Sequence, residues 1–345
     1  MRPQQILMHV GHGKTGSSFL QSALANSVDV LGAAGIAYPI APDDAERARA
    51  GKITSGNLPP GPGHFSQLLR QGWDGPLDRL LLSSESYFTK MRPNGFLERI
   101  RALLPDAELR ILLYIRDPLD HAVSNYQQVI KRHGFIEDFD SFLDTYNIPR
   151  RVAQFIAFVE GMGATVSVRN YSRVRGQLKA SLEEWLSLGD DALKTARMQQ
   201  VNRSMTMSEL ALQMAFNRHY GANSARFVSD PLCEELPDIR SEKPPVSSAA
   251  LQRFLERMTR TIAEFEFGDR LAAGEDYKVA TLEEARARFE EPYEAPVYTF
   301  TAEQLDALAR SVCAHFGVEA PQPLPSRREI RANKRRARTA PAEEE

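Results

Sequence analysis

Short apolar runs and amphipathic stretches follow one another along the first two thirds of the chain. Ile6 to Val10 is the first apolar run, and Gly11 and Gly13 follow it, which predicts a buried parallel strand that ends in a loop. After the glycines, apolar residues recur at spacings of one, three and four, which predicts an amphipathic helix. These residues are Phe19, Leu20, Ala23, Leu24, Val28 and Leu31. The chain therefore opens as strand, glycine loop and helix.

Four further segments have the composition of short strands, and helical patterns separate most of them. They run from Gly35 to Tyr38, from Arg79 to Ser83, from Ile111 to Ile115 and from Thr165 to Asn170. Strands that alternate with helices favour a sheet of parallel strands covered on both faces. The predicted fold class is therefore three-layer α/β/α with a mostly parallel central sheet.

The helix boundaries are clearest at two places. Asn94 is the predicted N-cap of a helix from about Gly95 to Leu104. Asp117 and Pro118 provide the N-cap and the first-turn proline of a helix that extends to about Lys131. Residues 41 to 76 are rich in Pro, Gly, Asp and Ser, so we expect a long loop there, of the kind that often carries function.

Beyond Asn202 the pattern consists of helical segments without convincing strands. We expect one domain over residues 1–325, with an α/β core over about 1–200 and a helical extension over about 201–325. Residues 326–345 contain seven Lys and Arg residues and then end in three glutamates. Charge-rich segments of this kind usually stay solvated, so we expect a disordered tail.

Composition excludes several function classes. The 345 residues include 43 Lys and Arg and 45 Asp and Glu, and the net charge of −2 argues against nucleic acid as a partner. Cys233 and Cys313 are far apart, so neither a disulfide framework nor a structural zinc site is expected. No carboxylates or histidines have a metal-binding spacing. Without a signal or membrane-spanning segment, the protein is expected to be soluble and cytoplasmic.

The glycine loop is the first candidate for chemistry. A loop between a buried strand and a helix offers backbone N–H groups and the positive end of the helix dipole, which together favour phosphate. Lys14 adds a charge, and Thr15, Ser17 and Ser18 add hydroxyl donors. The loop differs from Walker A, because Met8 stands where that pattern has its first glycine. A tight turn with a solvated lysine is the alternative interpretation.

The segment KTGSSF resembles the 5′-phosphosulfate loop of sulfotransferases that use 3′-phosphoadenosine 5′-phosphosulfate (PAPS). The family pattern is Lys-(Ser/Thr)-Gly-Thr-Thr, and Ser17 and Ser18 preserve the two hydroxyls. The resemblance implies that Lys14 contacts the sulfate and the bridging oxygen, while the residues from Gly16 to Ser18 bind the 5′-phosphate. Thr15, at the Ser/Thr position of the pattern, belongs to the same cofactor site. It also implies a P-loop-like fold. Phe19 resembles a position whose aromatic ring stacks on adenine, although its helical phase suits the core equally well.

A second candidate site follows the strand ILLYI. Arg116 comes directly after this strand, and Ser124 lies eight residues further on in the next helix. A guanidinium and a hydroxyl at this spacing are able to bind one phosphate. The stretch IRDPLDHAVSNY resembles the 3′-phosphate motif of the same family. Taken alone, Arg116 would be interpreted as a strand-end arginine and Ser124 as a buried helical serine.

The resemblance extends from the N-terminus to about residue 210 and is to the bacterial members of the family. It includes Tyr38-Pro39, the SSES segment from Ser83 to Ser86 and, more weakly, the Asn202-Arg203-Ser204 segment. What it implies is transfer of a sulfuryl group from PAPS to a hydroxyl, leaving PAP (3′-phosphoadenosine 5′-phosphate). The family analogy favours a carbohydrate or glycolipid acceptor. An ATP-dependent phosphotransferase and a non-catalytic nucleotide-binding protein remain alternatives.

Sulfuryl transfer to a hydroxyl requires a base, and three residues are candidates. Glu85 follows the strand from Arg79 to Ser83, so it is expected at the same sheet edge as Lys14. A helix-cap or surface ion-pair role is its alternative. We rank Glu85 first, His64 of the Gly/Pro-rich segment second, and His12 of the glycine loop third.

Overall fold

The computed structural model describes residues 3–50, 56, 57, 63, 65–67, 78–195, 203–265, 267, 270–289 and 298–317. Its centre is a sheet of five strands in the order β2-β3-β1-β4-β5. The strands are β1 (Gln5–Gly11), β2 (Ile36–Ala37), β3 (Arg79–Ser83), β4 (Glu108–Ile115) and β5 (Ala164–Asn170). Every pairing between them is parallel. Helices cover both faces, so the predicted three-layer α/β/α class is confirmed.

The helices of the α/β core alternate with these strands. They are α1 (Ser17–Asn26), α2 (Val28–Ala33), α3 (Pro42–Arg49), α4 (Ser86–Lys90), α5 (Phe96–Leu103), α6 (Pro118–His133), α7 (Phe139–Thr145), α8 (Ile148–Gly161), α9 (Tyr171–Val174) and α10 (Leu178–Leu186). The later part of the chain adds α11 (Met207–Tyr220), α12 (Ser229–Glu235), α13 (Ser248–Glu264), α14 (Leu282–Arg286) and α15 (Ala302–His315). Short 3₁₀ turns lie at Arg175–Gln177 and Ala222–Arg226. None of the described helices is long and apolar enough to cross a membrane.

Alternate residues of the strands supply two hydrophobic cores, one on each face of the sheet. On one face, Leu7 and Leu112 pack with apolar side chains of α1, α2, α3 and α10. On the other face, Met8 and Ile111 pack with α4 to α8 and also with α11 and α13. The helical part therefore shares a core with the sheet. Residues 326–345, predicted as a tail, lie outside the described residues.

Two predictions about local structure are wrong. Residues 42–49 form α3 within the segment 41–76, which was expected to be mainly loop. Most of residues 51–76 lie outside the described residues. Pro42 begins this helix, its two aspartates lie in the first turn and its two arginines in the last turn, which suits the helix dipole. Helix α5 has Gly95 as its N-cap, with a left-handed backbone at φ 57°, and Asn94 lies one residue earlier.

A segment of the helical part runs along the carboxyl end of β5. Leu271 forms a parallel bridge with Val168, and the N–H of Ala272 donates to the Val168 carbonyl at 3.2 Å. The Glu275 carboxylate then accepts hydrogen bonds from the Asn170 backbone N–H and from Arg169. These contacts bring residues 278–280 next to the loops that follow the parallel strands.

Candidate functional site

The carboxyl ends of the parallel strands lie along one edge of the sheet, and three predicted site residues follow them there. Strand β1 pairs with β3 on one side and with β4 on the other. The loop after β1 carries Lys14, Glu85 lies two residues after β3, and Arg116 comes directly after β4. Open parallel sheets bind ligands at this edge, next to the strand from which the sheet extends in both directions. The structure therefore brings all three residues to one edge.

The backbone of the loop between β1 and α1 turns through the left-handed region at three positions. Gly13, Lys14 and Gly16 have φ angles of 90°, 54° and 80°. This backbone is ordinary for glycine but uncommon for lysine. Gly16 is the N-cap of α1, and no side chain among the described residues caps this helix. The Phe19 N–H donates to the Gly16 carbonyl oxygen at 3.0 Å, so the N–H groups of Ser17 and Ser18 are the ones that an anion would contact.

Two hydroxyl groups of this loop are buried without a hydrogen-bond partner among the described residues. They are Thr15 Oγ1 and Ser17 Oγ. Ser17 also lies close enough to the Glu85 carboxylate to act against the rise in its pKa. Both hydroxyls lie close to Gly11, because a Cβ atom on Gly11 would lie 2.6 Å from Thr15 Oγ1 and 2.4 Å from Ser17 Oγ. Buried hydroxyls normally have a partner, so two unpaired ones at one place indicate a ligand or an ordered water. The loop therefore fits a group that carries several acceptor oxygens, as a phosphate does.

Lys14 and Glu85 influence each other's ionisation. Lys14 is half-buried, and burial lowers the pKa of its ammonium group, while the charge of Glu85 acts to raise it. Glu85 keeps contact with solvent, but partial burial of its carboxylate raises its pKa, and Lys14 opposes that shift. A carboxylate with a raised pKa next to a half-buried cation is a common arrangement for a proton acceptor in an active site.

Arg116 is bonded to the β1 loop by both its side chain and its backbone. Its guanidinium donates to the carbonyl oxygen of Lys14 at 3.1 Å and lies over the ring of Tyr171, 5.3 Å from the ring centroid. Its backbone N–H donates to Nε2 of His12 at 3.1 Å. Because a guanidinium has five N–H donors, Arg116 retains donors for a ligand. The two predicted phosphate sites are therefore adjacent.

The remaining predicted nucleotide contacts lie on the helices next to these loops. Ser124 is a half-buried residue of α6, one helical turn beyond Asp120 and His121. Ser18 is half-buried in the first turn of α1. Phe19, also half-buried, packs against the hydrophobic core under α1. Contact of Phe19 with adenine and of Ser124 with phosphate stay predictions.

A cavity of about 470 Å³ opens beside Arg116, between the α/β core and the helical part. Basic residues outnumber acidic ones in its wall. The basic residues are Arg116, Arg173, Arg175, Lys243, Lys278 and Arg288, and the acidic ones are Asp117 and Asp120. Tyr171, Val123 and Phe289 add apolar surface. Its chemistry therefore suits an anion attached to a flat or apolar group.

Ion pairs neutralise half of these cations. Arg173 pairs with Asp117 at 2.8 Å, Arg288 pairs with Asp120 at 2.8 Å, and Lys278 pairs with Glu284 at 2.7 Å.

The other three basic residues keep an excess of positive charge in the cavity. Lys243 donates to the backbone carbonyl oxygen of Arg288 at 3.1 Å. Burial lowers the pKa of Arg116, and repulsion from Arg175 adds to that effect, while Asp120 opposes it. Charge repulsion of this kind is relieved when an anion binds.

The two histidine candidates for the base have different outcomes. His12 lies in the loop and is buried, and the Arg116 N–H occupies the lone pair of Nε2. In a neutral imidazole with Nε2 as acceptor, Nδ1 carries the proton, so this ring has no free lone pair for another proton. Burial lowers its pKa to about 3. His64 lies outside the described residues, as does Asn202.

Sequence reasoning missed several residues of this edge. Arg173 and Arg175 follow the end of β5, so the argument that singled out Arg116 after β4 would have found them. Nothing in the local sequence of Lys243 marks it as part of the cavity. It reaches the cavity through the packing of the helical part. Among the described residues, no group of three or more His, Cys, Asp and Glu side chains is placed to hold a metal ion.

Comparisons with known proteins give little further information. No family model matches the chain, and no curated protein sequence matches it. Among solved structures, the chain is similar to retinol dehydratase in complex with androsterone and the inactive cofactor PAP. The two are 13% identical, the match covers 94% of this chain and 84% of the other, and the TM-score is 0.30. This score is too low to establish a common fold, so the fold class rests on the strand order and helix layers described above.

Proposed function

We propose that this protein is a sulfotransferase that transfers a sulfuryl group from PAPS to a hydroxyl group. The observation that carries the proposal is the 3.1 Å hydrogen bond from the Arg116 guanidinium to the Lys14 carbonyl oxygen. It makes the two predicted phosphate sites neighbours, so one molecule with anionic groups at two places fits both. PAPS has a phosphate on its ribose in addition to its phosphosulfate. ATP has one chain of phosphates and would leave the second site without an anion.

The residues of the edge divide between the two anionic ends of PAPS. Thr15, Gly16, Ser17 and Ser18 bind the 5′-phosphate, and the unpaired hydroxyls of Thr15 and Ser17 support this assignment. Arg116 and Ser124 bind the 3′-phosphate, beside the positively charged cavity. Phe19 contacts adenine. A nucleotide held in this way spans the glycine loop and the beginning of α6.

Lys14 and Glu85 carry the chemistry. When bound, PAPS supplies a sulfuryl group, whose bond to the 5′-phosphate oxygen breaks as the acceptor oxygen bonds to sulfur. Lys14, at the N-terminus of α1, stabilises the negative charge on the departing phosphate oxygen. Glu85 accepts the proton of the acceptor hydroxyl. Partial burial raises the pKa of Glu85, which increases the proton affinity of its carboxylate.

The acceptor in this proposal is a hydroxyl of a carbohydrate or glycolipid. Support comes from the resemblance of the two phosphate motifs to those of bacterial sulfotransferases. These motifs are proposed to bind the donor and do not contact the acceptor hydroxyl. Acceptor identity is therefore a separate question from donor identity, and it is tested separately.

The donor assignment is tested by thermal shift with PAP, ADP and ATP with Mg²⁺. We expect PAP to stabilise the wild-type protein most. The Arg116→Ala variant should lose most of the PAP effect, because it removes the guanidinium beside the ribose phosphate. Arg253→Ala, at an exposed position on α13, is the matched control. Greater stabilisation by ATP with Mg²⁺ than by PAP would favour a phosphotransferase.

The reaction is tested with PAPS that carries labelled sulfate and a panel of carbohydrates, glycolipids and small alcohols. Labelled sulfate on an acceptor, together with release of PAP, is the expected result. PAP binding without transfer to any acceptor would instead support a non-catalytic nucleotide-binding protein.

A further inference from the structure

His12 connects the two anion sites through a contact that the proposed chemistry does not use. It lies between Gly11 and Gly13, two residues before Lys14, and only 8% of it is exposed. Its Nε2 accepts the hydrogen bond of the Arg116 backbone N–H at 3.1 Å. The imidazole therefore joins the loop after β1 to the first residue after β4.

The side chain of Arg116 forms a second hydrogen bond between the same two loops. Its guanidinium donates to the Lys14 carbonyl oxygen at 3.1 Å, so the backbone and the side chain of Arg116 are bonded to two successive parts of one loop. Two hydrogen bonds at different points resist both translation and rotation of one loop against the other. The separation between the phosphate loop and the guanidinium is thereby held at one value.

Side chains behind His12 fix the orientation of its ring. The ring of His121 meets it edge to face, with centroids 4.5 Å apart and planes at 82°. Nδ1 of His121 lies 3.0 Å from the Tyr146 hydroxyl, and both residues are buried. The ring of Phe88 also packs near His12, with ring centroids 5.7 Å apart. Since the imidazole is enclosed, Nε2 keeps its direction toward Arg116.

We propose that His12 is a positioning residue, whose Nε2 sets the distance between the phosphate loop and Arg116 so that one nucleotide reaches both. The inference rests on the proposed function for the identity of the ligand. It assigns to His12 no proton transfer and no contact with the acceptor. What it predicts is a loss of preference for nucleotides that carry anions at both ends.

Two variants that differ by one methylene group provide the test. In His12→Gln, the amide oxygen lies near the position of Nε2 and is able to accept the Arg116 N–H. In His12→Asn, the amide oxygen lies near the position of Nδ1 and does not reach it. Both variants are polar and smaller than histidine, so differences between them report the hydrogen bond and not the loss of the ring.

Dissociation constants for PAP and AMP are measured by calorimetry for the wild type and for both variants. AMP lacks the 3′-phosphate, so its binding requires the phosphate loop but not the distance to Arg116. We expect His12→Asn to lower the ratio of PAP affinity to AMP affinity about tenfold, the size of one lost hydrogen bond. We expect His12→Gln to keep the wild-type ratio.

Other outcomes overturn the inference. If PAP and AMP weaken by the same factor in His12→Asn, the residue supports only the fold of the loop. If His12→Gln and His12→Asn lose the preference for PAP equally, a hydrogen-bond acceptor at the Nε2 position does not set the preference. If the wild type prefers PAP to AMP and His12→Asn keeps that preference, this inference alone is contradicted. If the wild type binds no PAP, the proposed function is contradicted as well.

Discussion

The ammonium of Lys14 and the carboxylate of Glu85 face the same edge of the sheet, and each favours the charged form of the other. Burial acts against both charges and has the larger effect, so the pKa of Glu85 is raised and that of Lys14 is lowered. Both groups thus titrate closer to neutral pH than they would in water. In the proposed reaction these pKa shifts suit Glu85 as the base and Lys14 as the cation that stabilises the departing phosphate oxygen.

Replacing Glu85 by glutamine should slow turnover without weakening nucleotide binding. The amide has nearly the same shape but takes up no proton, and general bases contribute roughly 10²- to 10⁴-fold to rate. We expect kcat to fall by about 10²-fold or more, while the dissociation constant of PAP changes less than about twofold. Glu98→Gln, at an exposed position on α5, is the control. If Glu85→Gln turns over at the wild-type rate, Glu85 is not the base and another residue accepts the proton.

Replacing Lys14 by methionine should change both the rate and its pH dependence. Loss of the cation at the departing phosphate oxygen is expected to lower kcat by about 10²- to 10³-fold. Since Lys14 lowers the pKa of Glu85, its removal should raise that pKa further. Activity requires ionised Glu85 and falls as pH falls through its pKa, so the acidic limb of kcat/KM should move to higher pH.

The pH profile of residual transfer by Lys14→Met checks this shift. Lys90→Met, which removes an exposed lysine of α4, should leave the limb unchanged. An acidic limb at the same pH in Lys14→Met and the wild type would mean that Glu85 does not control it.

Adding a single methyl group at Gly11 should disturb the phosphate loop selectively. The Cβ of Gly11→Ala would lie within 2.6 Å of both unpaired loop hydroxyls, so these hydroxyls must move away. Two hydrogen bonds to an anion would be lost or distorted, and we expect PAP affinity to fall by about 10- to 100-fold.

Gly176→Ala is the matched control, because nothing lies within 4 Å of the added Cβ there. Because Thr15 and Ser17 are buried, Gly11→Ala is also expected to lower the unfolding temperature, and PAP affinity is compared at a temperature at which both variants are folded. Equal PAP affinity in Gly11→Ala and Gly176→Ala would exclude these hydroxyls from the nucleotide site.

Three buried histidines should make the protein less stable in mild acid. Burial lowers the pKa of His9 to about 4 and that of His12 to about 3, and His121 is shifted in the same direction. Between these values and about 6.5, the unfolded chain binds protons that the folded chain does not. Stability is therefore lost as pH falls below about 6.5, by up to roughly 4 kcal/mol per pH unit for three histidines.

Urea unfolding at a series of pH values between 7.5 and 4.5 measures this slope. The raised pKa of Glu85 and of Asp117 acts in the opposite sense and reduces it. Substitution of His9 by glutamine should lower the slope, because it removes one of the buried groups whose pKa is lowered. Stability that is constant over this range would contradict the neutral state of these histidines.

Removing one partner of a buried ion pair in the helical part should destabilise the protein far more than removing one partner of a surface pair. Two guanidinium nitrogens of Arg203 each lie 2.6 Å from a carboxylate oxygen of Glu209, and the two side chains are 3% and 0% exposed. Glu209→Ala leaves a buried, unpaired guanidinium, so we expect a loss of about 3 to 5 kcal/mol in the free energy of unfolding. Asp306→Ala breaks an exposed pair with Arg310 and should cost less than about 1 kcal/mol. Urea unfolding of both variants checks the contrast, and similar losses would contradict it.

Local pattern was sufficient for the elements whose burial is continuous. The ILLYI run lies inside the sheet, between β1 and β5, with both faces covered, so every position is apolar. The strand predicted at Ile111 to Ile115 is part of β4 (Glu108–Ile115). Helix α3 was missed because its sequence is polar, with only Ala45 and Ala48 buried, and its composition resembles a loop. Gly95 was missed as an N-cap because a left-handed backbone at that position leaves no mark on the neighbouring residues.

The sequence by itself determined the five strands and their order along the chain, the phosphate loop with Lys14, and the place of Arg116 at a strand end. Each of these depends on spacing within a few residues, which the chain displays directly. Three contacts were decided by the tertiary structure alone. The Arg116 guanidinium donates a hydrogen bond to the Lys14 carbonyl oxygen, His12 Nε2 accepts one from the Arg116 backbone N–H, and Lys243 lines the cavity. These contacts join residues about a hundred or more positions apart, and their geometry follows from how the helices pack on the sheet.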